Sequence, residues 1–376
     1  MGKPKQRGNG SGSVYPRRNK DGKTTSYLGA YYGPDGKRRT VSAKTKTECQ
    51  VKLRAAQGDA DKGLLFDAGT LTLGDYLGRV KADGTATGWL LGIKDTVRQR
   101  TWERYESVIR IHITTGIGGV KLKDLTRAHV KGLYATLKTP QHAHITLRKA
   151  LNDAVADNLI PRNVAAGIKL PKHKKEINPL TPEQAKTFLD VARKDKLYAL
   201  YVVAIQYGLR QGELLGLKWS DLDLDAGSLQ VRRTQSESGV GRIEELPKNG
   251  KGRRIELSKS VCEVLRGHRS RQLEERLAAR SYDDQGLVFA TERGTPINSS
   301  NLVTRSFKPL LKQAGLPNIW FHDLRHTCAT IRFLKGQHPK RVSDILGHSS
   351  IAITLDTYSH IIPGMSDEED VFEGYC

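Results

Sequence analysis

Five short stretches in the second half of the chain hold polar residues where a plain helical core would not place them. In YGLRQGELLGLKWSDLD (207–223), Arg210 stands three residues before Glu213, directly after an apolar run, and this spacing predicts one shared helix face. An Arg half removed from water needs an anionic partner. Glu213 either satisfies it as a structural ion pair or turns it toward a bound phosphate. PKNGKGRR (247–254) reads as a turn between strands and offers Lys248 and Lys251 to a phosphate or a leaving oxygen. Basic hairpin tips are common, and the spacing of a phosphate-cradling P-loop is absent. FHDLRH (321–326) repeats the three-residue step with His322 and Arg325, two groups able to act on one oxyanion. LGHSS (346–350) sets His348 at a turn or helix start, and LDTYSH (355–360) supplies Tyr358.

Each group also has a plainer reading. Tyr358 can be a half-buried aromatic with a wet hydroxyl. His326 and His360 read as structural, Trp219 as core, Asp221 and Asp223 as turn residues, and Asp323 as a solvent-facing or helix-capping residue.

Regular elements must hold these groups in place. Thr181, Pro182 and Gln184 form a helix start, with an N-cap, a first-turn proline and a capping box. Helices run from there to about Trp219. SLQVRRTQ, GRIEELPK and RRIELS are strand-like runs separated by Gly-containing turns, and helices resume near Ser258. Upstream, residues 71–160 read as a bundle of four or five helices. Val130, Leu133, Tyr134 and Leu137 keep the helical period, as do Leu147, Ala150, Leu151, Ala154 and Val155, and Trp102, Tyr105 and Ile109. Each set is a core stripe. The outer charges, Lys94, Arg98, Arg100, Arg104, Arg110, Lys121, Lys123, Arg127, Lys131 and Lys138, read by default as a solvated face. Their one-sidedness suits a surface that tracks phosphates.

Residues 1–13 read as a flexible basic lead. The turn signals NKDGK (19–23) and GPDGK (33–37) bracket SYLGAYY, and RRTVSA follows, which predicts three short strands and then a helix from near Thr45. Residues 1–60 hold 14 Lys and Arg against 4 Asp and Glu. A basic β-ribbon of this kind can lie in a DNA groove, and the plain alternative is a basic hairpin that aids solubility. Residues 61–70 and 161–180 read as linkers, the second with Pro161, Pro171, Pro179 and the basic run at 172–175. The expected fold class is multidomain and mainly α with small β-sheets. It comprises a basic N-terminal three-stranded β module (1–60), a helical bundle (68–165) and a mixed α/β, mostly α, domain (176–376).

Composition narrows the partners. The 376 residues carry a formal net charge of +22, spread along the chain, which calls for a polyanion and favours nucleic acid over a membrane surface. A 37% hydrophobic content excludes a wholly disordered chain. The longest apolar stretch, Tyr198–Leu209, is broken by Gln206 and is too short to span a bilayer. The N-terminus has no apolar core of a signal peptide. The four cysteines are far apart and form no CxxC pair, which fits reduced cytosolic thiols.

At Gly208-Leu209-Arg210-x-x-Glu213-Leu214, His322-x-Leu324-Arg325-His326, Leu346-Gly347-His348 and Tyr358, the chain resembles the tyrosine recombinase family of phage integrase type. The order and separations of the motifs match, including the ten-residue step from His348 to Tyr358. The likeness is strongest over 180–361. The bundle is similar to the family's core-binding domain by position and period, and residues 14–57 resemble an arm-binding domain.

The resemblance implies a site-specific integrase that cleaves and rejoins DNA through a 3′-phosphotyrosyl link, integrating and also excising a phage or mobile element. Arg210 and Arg325 would grip the scissile phosphate. Tyr358 would attack it, His322 would take the tyrosine proton, and His348 would donate a hydrogen bond to the phosphate. Lys248, with Lys251 as fallback, would protonate the leaving 5′ oxygen. Glu213 would support Arg210 or His322. No metal, cofactor or ATP is implied. The implied partners are double-stranded DNA at core-type and arm-type sites, three further copies in a tetramer, a host DNA-bending protein and an excision factor, all in the bacterial cytoplasm. A tail with MSDEED (365–370) would dock on a neighbouring protomer or fray. The competing readings are a type IB topoisomerase-like enzyme and a decayed recombinase that only binds DNA. A metal-dependent transposase is disfavoured, because no carboxylate triad stands out.

Overall fold

The N-terminal turn signals close as read. β1 (Ser13–Arg18), β2 (Thr24–Tyr32) and β3 (Arg38–Ala43) form an antiparallel sheet in that order. At the first turn Asn19 Oδ1 accepts from the Lys23 N–H, and Gly22 supplies the positive φ of 75° that the turn needs. α1 (Lys46–Asp61) follows and buries Cys49 and Leu53, with Leu53 lying over Gly29 of β2. The computed structural model describes residues 13–33, 36–61, 70–171, 177–238, 241–245 and 252–359. The chain divides into two compact units, Met1–Lys172 and His173–Cys376. The basic lead up to residue 12, the linker at 62–69, the basic run 172–175, Lys248, Lys251, His360 and the acidic tail lie outside the described residues.

The rest of the first unit is helical: α2 (Leu73–Leu77), α3 (Gly88–Gly92), α4 (Gln99–Val108), α5 (Thr114–Ile117), α6 (Arg127–Ala135) and α7 (Gln141–Ala156). A π-helical stretch, Ile109–Ile113, joins α4 to α5. The apolar stripes meet in one core that includes Trp102, Tyr105, Ile109, Val130, Leu133, Leu147, Ala150 and Leu151. The stretch after α7 is not a free connector. Ile160 and Ala165 are buried in that core, Ile168 and Leu170 pack on it, and Arg127 holds the Ala166 carbonyl. Its apolar residues outweigh its prolines.

The second unit opens with α8 (Pro182–Ala192), whose Thr181–Gln184 capping box is formed. Just before it, the Leu180 N–H donates to Thr327. α9 (Tyr198–Tyr207) is apolar all round and therefore central. α10 (Gln211–Leu215) leads into β4 (Leu222–Asp223), β5 (Ser228–Val231), β6 (Thr234–Ser238), β7 (Gly241–Glu245) and β8 (Arg253–Glu256). β4, β5 and β8 make one antiparallel sheet, and β6 and β7 a hairpin. α11 (Lys259–Ala278), α12 (Ser299–Asn301), α13 (Lys308–Gln313), α14 (Asp323–Leu334), α15 (Pro339–Leu346) and α16 (Ile351–Tyr358) complete it. The fold is thus mainly α with small antiparallel sheets. No helix among the described residues is long and apolar enough to cross a membrane.

Candidate active site

Arg210, Glu213, Arg325, His348 and Tyr358 come together where α9, α14, α15 and α16 meet. Gly208 makes this possible. It ends α9 in the left-handed conformation at φ 61°, and a Cβ there would lie 2.5 Å from Leu346 and 3.3 Å from Cys328. The chain therefore turns before Arg210. Arg210 is the N-cap of α10 at φ −67° and ψ 149°, not a helical residue, so the expectation of a shared helix face is corrected. Its N–H donates to Glu213 Oε2 at 2.9 Å, and its guanidinium to Oε1 at 2.8 Å. The two are joined as a cap, not as neighbours on a stripe.

Glu213 is buried and has a second cation. Arg253, at the start of β8, donates to its two oxygens at 3.1 and 2.8 Å. Burial alone would raise the carboxyl above its ordinary value. The hydrogen bonds and charge of Arg253, with those of Arg210, outweigh it and bring the pKa down to about 2. Glu213 is thus paired with Arg210, as the ion-pair reading has it.

Three guanidiniums share the C-terminal end of α15. Arg253 Nε donates to the Ile345 carbonyl at 2.9 Å, Arg325 Nη1 to Leu346 at 2.6 Å, and Arg210 Nη2 to Gly347 at 3.2 Å. The exposed carbonyls and dipole of a helix C-terminus favour cations, which offsets the mutual repulsion of the three. Gly347, left-handed at φ 67°, is held beneath Arg253, where a Cβ would stand 2.8 Å from Nη1. The turn that this clamp fixes presents His348.

Arg325 is the most enclosed of the three, with 3% of its surface exposed. Nη1 also donates to the Gly208 carbonyl at 2.8 Å, while the buried Nη2 has no partner among the described residues. Burial, then the charge of Arg210, push its pKa down to about 9. A guanidinium in that state gains from an anion placed on Nη2. His348 lies beside it, its Nδ1 2.7 Å from the Thr354 hydroxyl. Burial, then the charges of Arg325 and Arg210, lower its pKa to about 4, so the ring is neutral at pH 7.

Tyr358 ends α16 with 1% of its surface exposed, packed with Cys328, Ala329, Phe333, Val342 and Leu346. Burial pushes its phenol pKa up, against the pull of Arg325. Its hydroxyl is 2.6 Å from His326 Nδ1. His322, the sequence's choice of base, stands at the position before α14, is exposed, and sets its ring edge-on to His326 with centroids 5.1 Å apart. Sequence reasoning missed His326 and Arg253. The four-residue step from His322 to His326, one helical turn, is a signal for the first. Asp323, read as solvent-facing or capping, is buried and caps, accepting from the Trp320 N–H at 2.7 Å. Asp221 is buried against Arg233 rather than loose in a turn.

Residues 178–363 match the Phage integrase family, and residues 86–138 the Phage integrase N-terminal SAM-like domain. Over 356 residues the chain is 32% identical to a tyrosine recombinase XerC-like protein of Caldanaerobacter subterraneus subsp. tengcongensis, covering 87% of this chain and 88% of that protein. An integrase of Streptomyces ambofaciens is 30% identical over 377 residues, covering 95% and 94%. Among solved structures, the Tn1549 transposon integrase in complex with transposon right end DNA gives a TM-score of 0.63 at 24% identity, over 76% of this chain and 94% of that one. A lambda integrase tetramer bound to a Holliday junction gives 0.55 at 22% identity, over 90% and 95%. The chain belongs to the tyrosine recombinase (phage integrase) family, whose members break and rejoin DNA strands.

Proposed function

We propose that this protein is a site-specific integrase that acts through a 3′-phosphotyrosyl intermediate. The observation that carries this reading is the buried Nη2 of Arg325, without a partner among the described residues, in one centre with Arg210, His348 and Tyr358. A phosphodiester is shielded by its own charge, and a preorganised guanidinium in a water-poor site stabilises the charge that grows on it. Arg325 and Arg210 hold the non-bridging oxygens, and His348 donates to one of them. Tyr358 Oη forms a bond to phosphorus as the bond from phosphorus to O5′ breaks. The tyrosine proton passes to exposed His322, while His326 is the ring that holds Oη as long as Tyr358 is enclosed. Lys248, or Lys251, protonates O5′. Attack by another strand's 5′-hydroxyl reverses the sequence and rejoins DNA without ATP.

Tyr358 is enclosed as it stands, so cleavage requires its hydroxyl to leave His326 and meet the DNA. The sheet β1–β3, with exposed Arg17 and Arg38, is assigned to arm-type sites, and the 68–165 bundle to core sites. The Holliday-junction tetramer of the lambda integrase supports the same assembly here. A host DNA-bending protein and an excision factor complete the reading, which places the protein on DNA in the bacterial cytoplasm. Incubation with a nicked suicide substrate of its attachment core, without added metal, tests it on a denaturing gel. A covalent band absent in Tyr358→Phe is expected. A band that persists in that variant, or DNA binding without any band, overturns the assignment.

A further inference from the structure

We propose that Thr354 is a positioning residue: its hydroxyl donates to His348 Nδ1, which keeps the imidazole proton on Nε2 and aims it at the phosphate. The inference rests on the reading of His348 as a phosphate donor and adds what makes it one. Neutral imidazole has one N–H, and a ring whose proton sits on Nδ1 accepts through Nε2 instead of donating.

Thr354 is completely buried, and its Oγ1 lies 2.7 Å from His348 Nδ1. A buried hydroxyl proton needs an acceptor. A helical threonine ordinarily finds one in the carbonyl four residues back, as Thr357 does with Ile353 on the same helix. Thr354 turns away from its own helix, and among the described residues His348 Nδ1 is the partner its hydroxyl has. Were Nδ1 to carry the proton, two hydrogens would compete for this contact and the hydroxyl's would be stranded. The geometry therefore fixes Thr354 as donor, Nδ1 as acceptor and Nε2 as the site of the N–H. Because the ring is neutral at pH 7, the choice between tautomers matters there. Thr354 also stands one turn before Tyr358, so the same bond ties the nucleophile's helix to the turn that three arginines hold.

Two measurements test this on the full-length chain. The first is ¹⁵N NMR of the His348 ring in DNA-free protein at pH 7, with His348→Gln for assignment. The Nε2–H tautomer with Nδ1 as acceptor is expected in the wild type. The Nδ1–H tautomer overturns the inference whatever the protein's activity. The second is the single-turnover rate of covalent trapping. Thr354→Val keeps shape and loses the donor, and should cleave about ten-fold slower with unchanged DNA affinity. Thr354→Ser should recover to within about three-fold of the wild type. Equal rates for wild type and Val sink the proposal, as does slow cleavage by Ser that matches Val. A wild type that never traps would sink the broader reading, while the NMR result would still decide the tautomer.

Discussion

In the unit before residue 173, Thr146 is the one buried polar side chain among the described residues. Beyond it, Glu213, Asp221, Asp323, Arg325 and Thr354 are all buried. The bundle keeps its ions outside, as in the Arg110–Glu106 pair, where Arg110 is 65% exposed. The catalytic unit takes them in, with Glu213 at 1% side-chain exposure between Arg210 and Arg253. The bundle is built on apolar periodicity, with its charges on a solvated face. The catalytic unit spends folding stability on holding charges dry, where they act strongly on a bound phosphate.

The contrast is sharpest at the carboxylates. Glu213→Ala leaves two cations without their anion and should destabilise the second unit by about 3–5 kcal/mol. Glu106→Ala removes a pair whose arginine is 65% exposed, and should change stability by less than about 1 kcal/mol. Urea denaturation of the two variants measures both, and equal losses would erase the distinction.

Acid should expose the same difference through the slope of stability against pH. The folded pKa of His348 lies below its ordinary 6.5, at about 4, and that of Glu213 below 4.5, at about 2. Each group therefore adds stability that is complete above its ordinary pKa and is lost as pH falls toward the folded one. His348 acts between pH 6.5 and 4, and Glu213 between 4.5 and 2. Calorimetry from pH 7 to 4 should show a steeper fall in Tm for the wild type than for His348→Asn. Parallel lines would mean that His348 is not held neutral.

The smallest effect belongs to the bundle's outer face. Arg100→Ala or Lys131→Ala should leave Tm unchanged, weaken DNA binding for all sequences alike, and reduce the salt slope of log K by about 0.9 per lost contact. Unchanged slopes would make that face a solvated one only.

Local signals were the legible part. The strand turns, the Thr181 capping box and the core stripes are written in spacings of two to four residues, and the structure forms them. The motif residues of the site were legible too, but not how they meet. Arg210 lies outside the helix because Gly208 ends α9 at Tyr207, two residues before the apolar run stops at Leu209. Arg253 gave no sign, since its partners Glu213 and Ile345 stand 40 and 92 residues away. Nothing in the sequence singles out Thr354, whose hydroxyl lies 2.7 Å from His348 Nδ1 only once the turn is folded. Long-range pairing of buried polar groups has no period, so sequence reading finds the groups before it finds their bonds.

The central claim is that the arginine centre acts by neutralising one phosphate. The most direct measurement is cleavage of DNA carrying an uncharged methylphosphonate at the scissile position, by the wild type, Arg210→Ala, Arg325→Ala and Tyr358→Phe, with folding of each checked by circular dichroism. The account predicts that the arginine variants are inactive on ordinary DNA and recover covalent trapping on the neutral linkage, while Tyr358→Phe stays inactive on both. Arginine variants that are folded yet equally inactive on both substrates would contradict it.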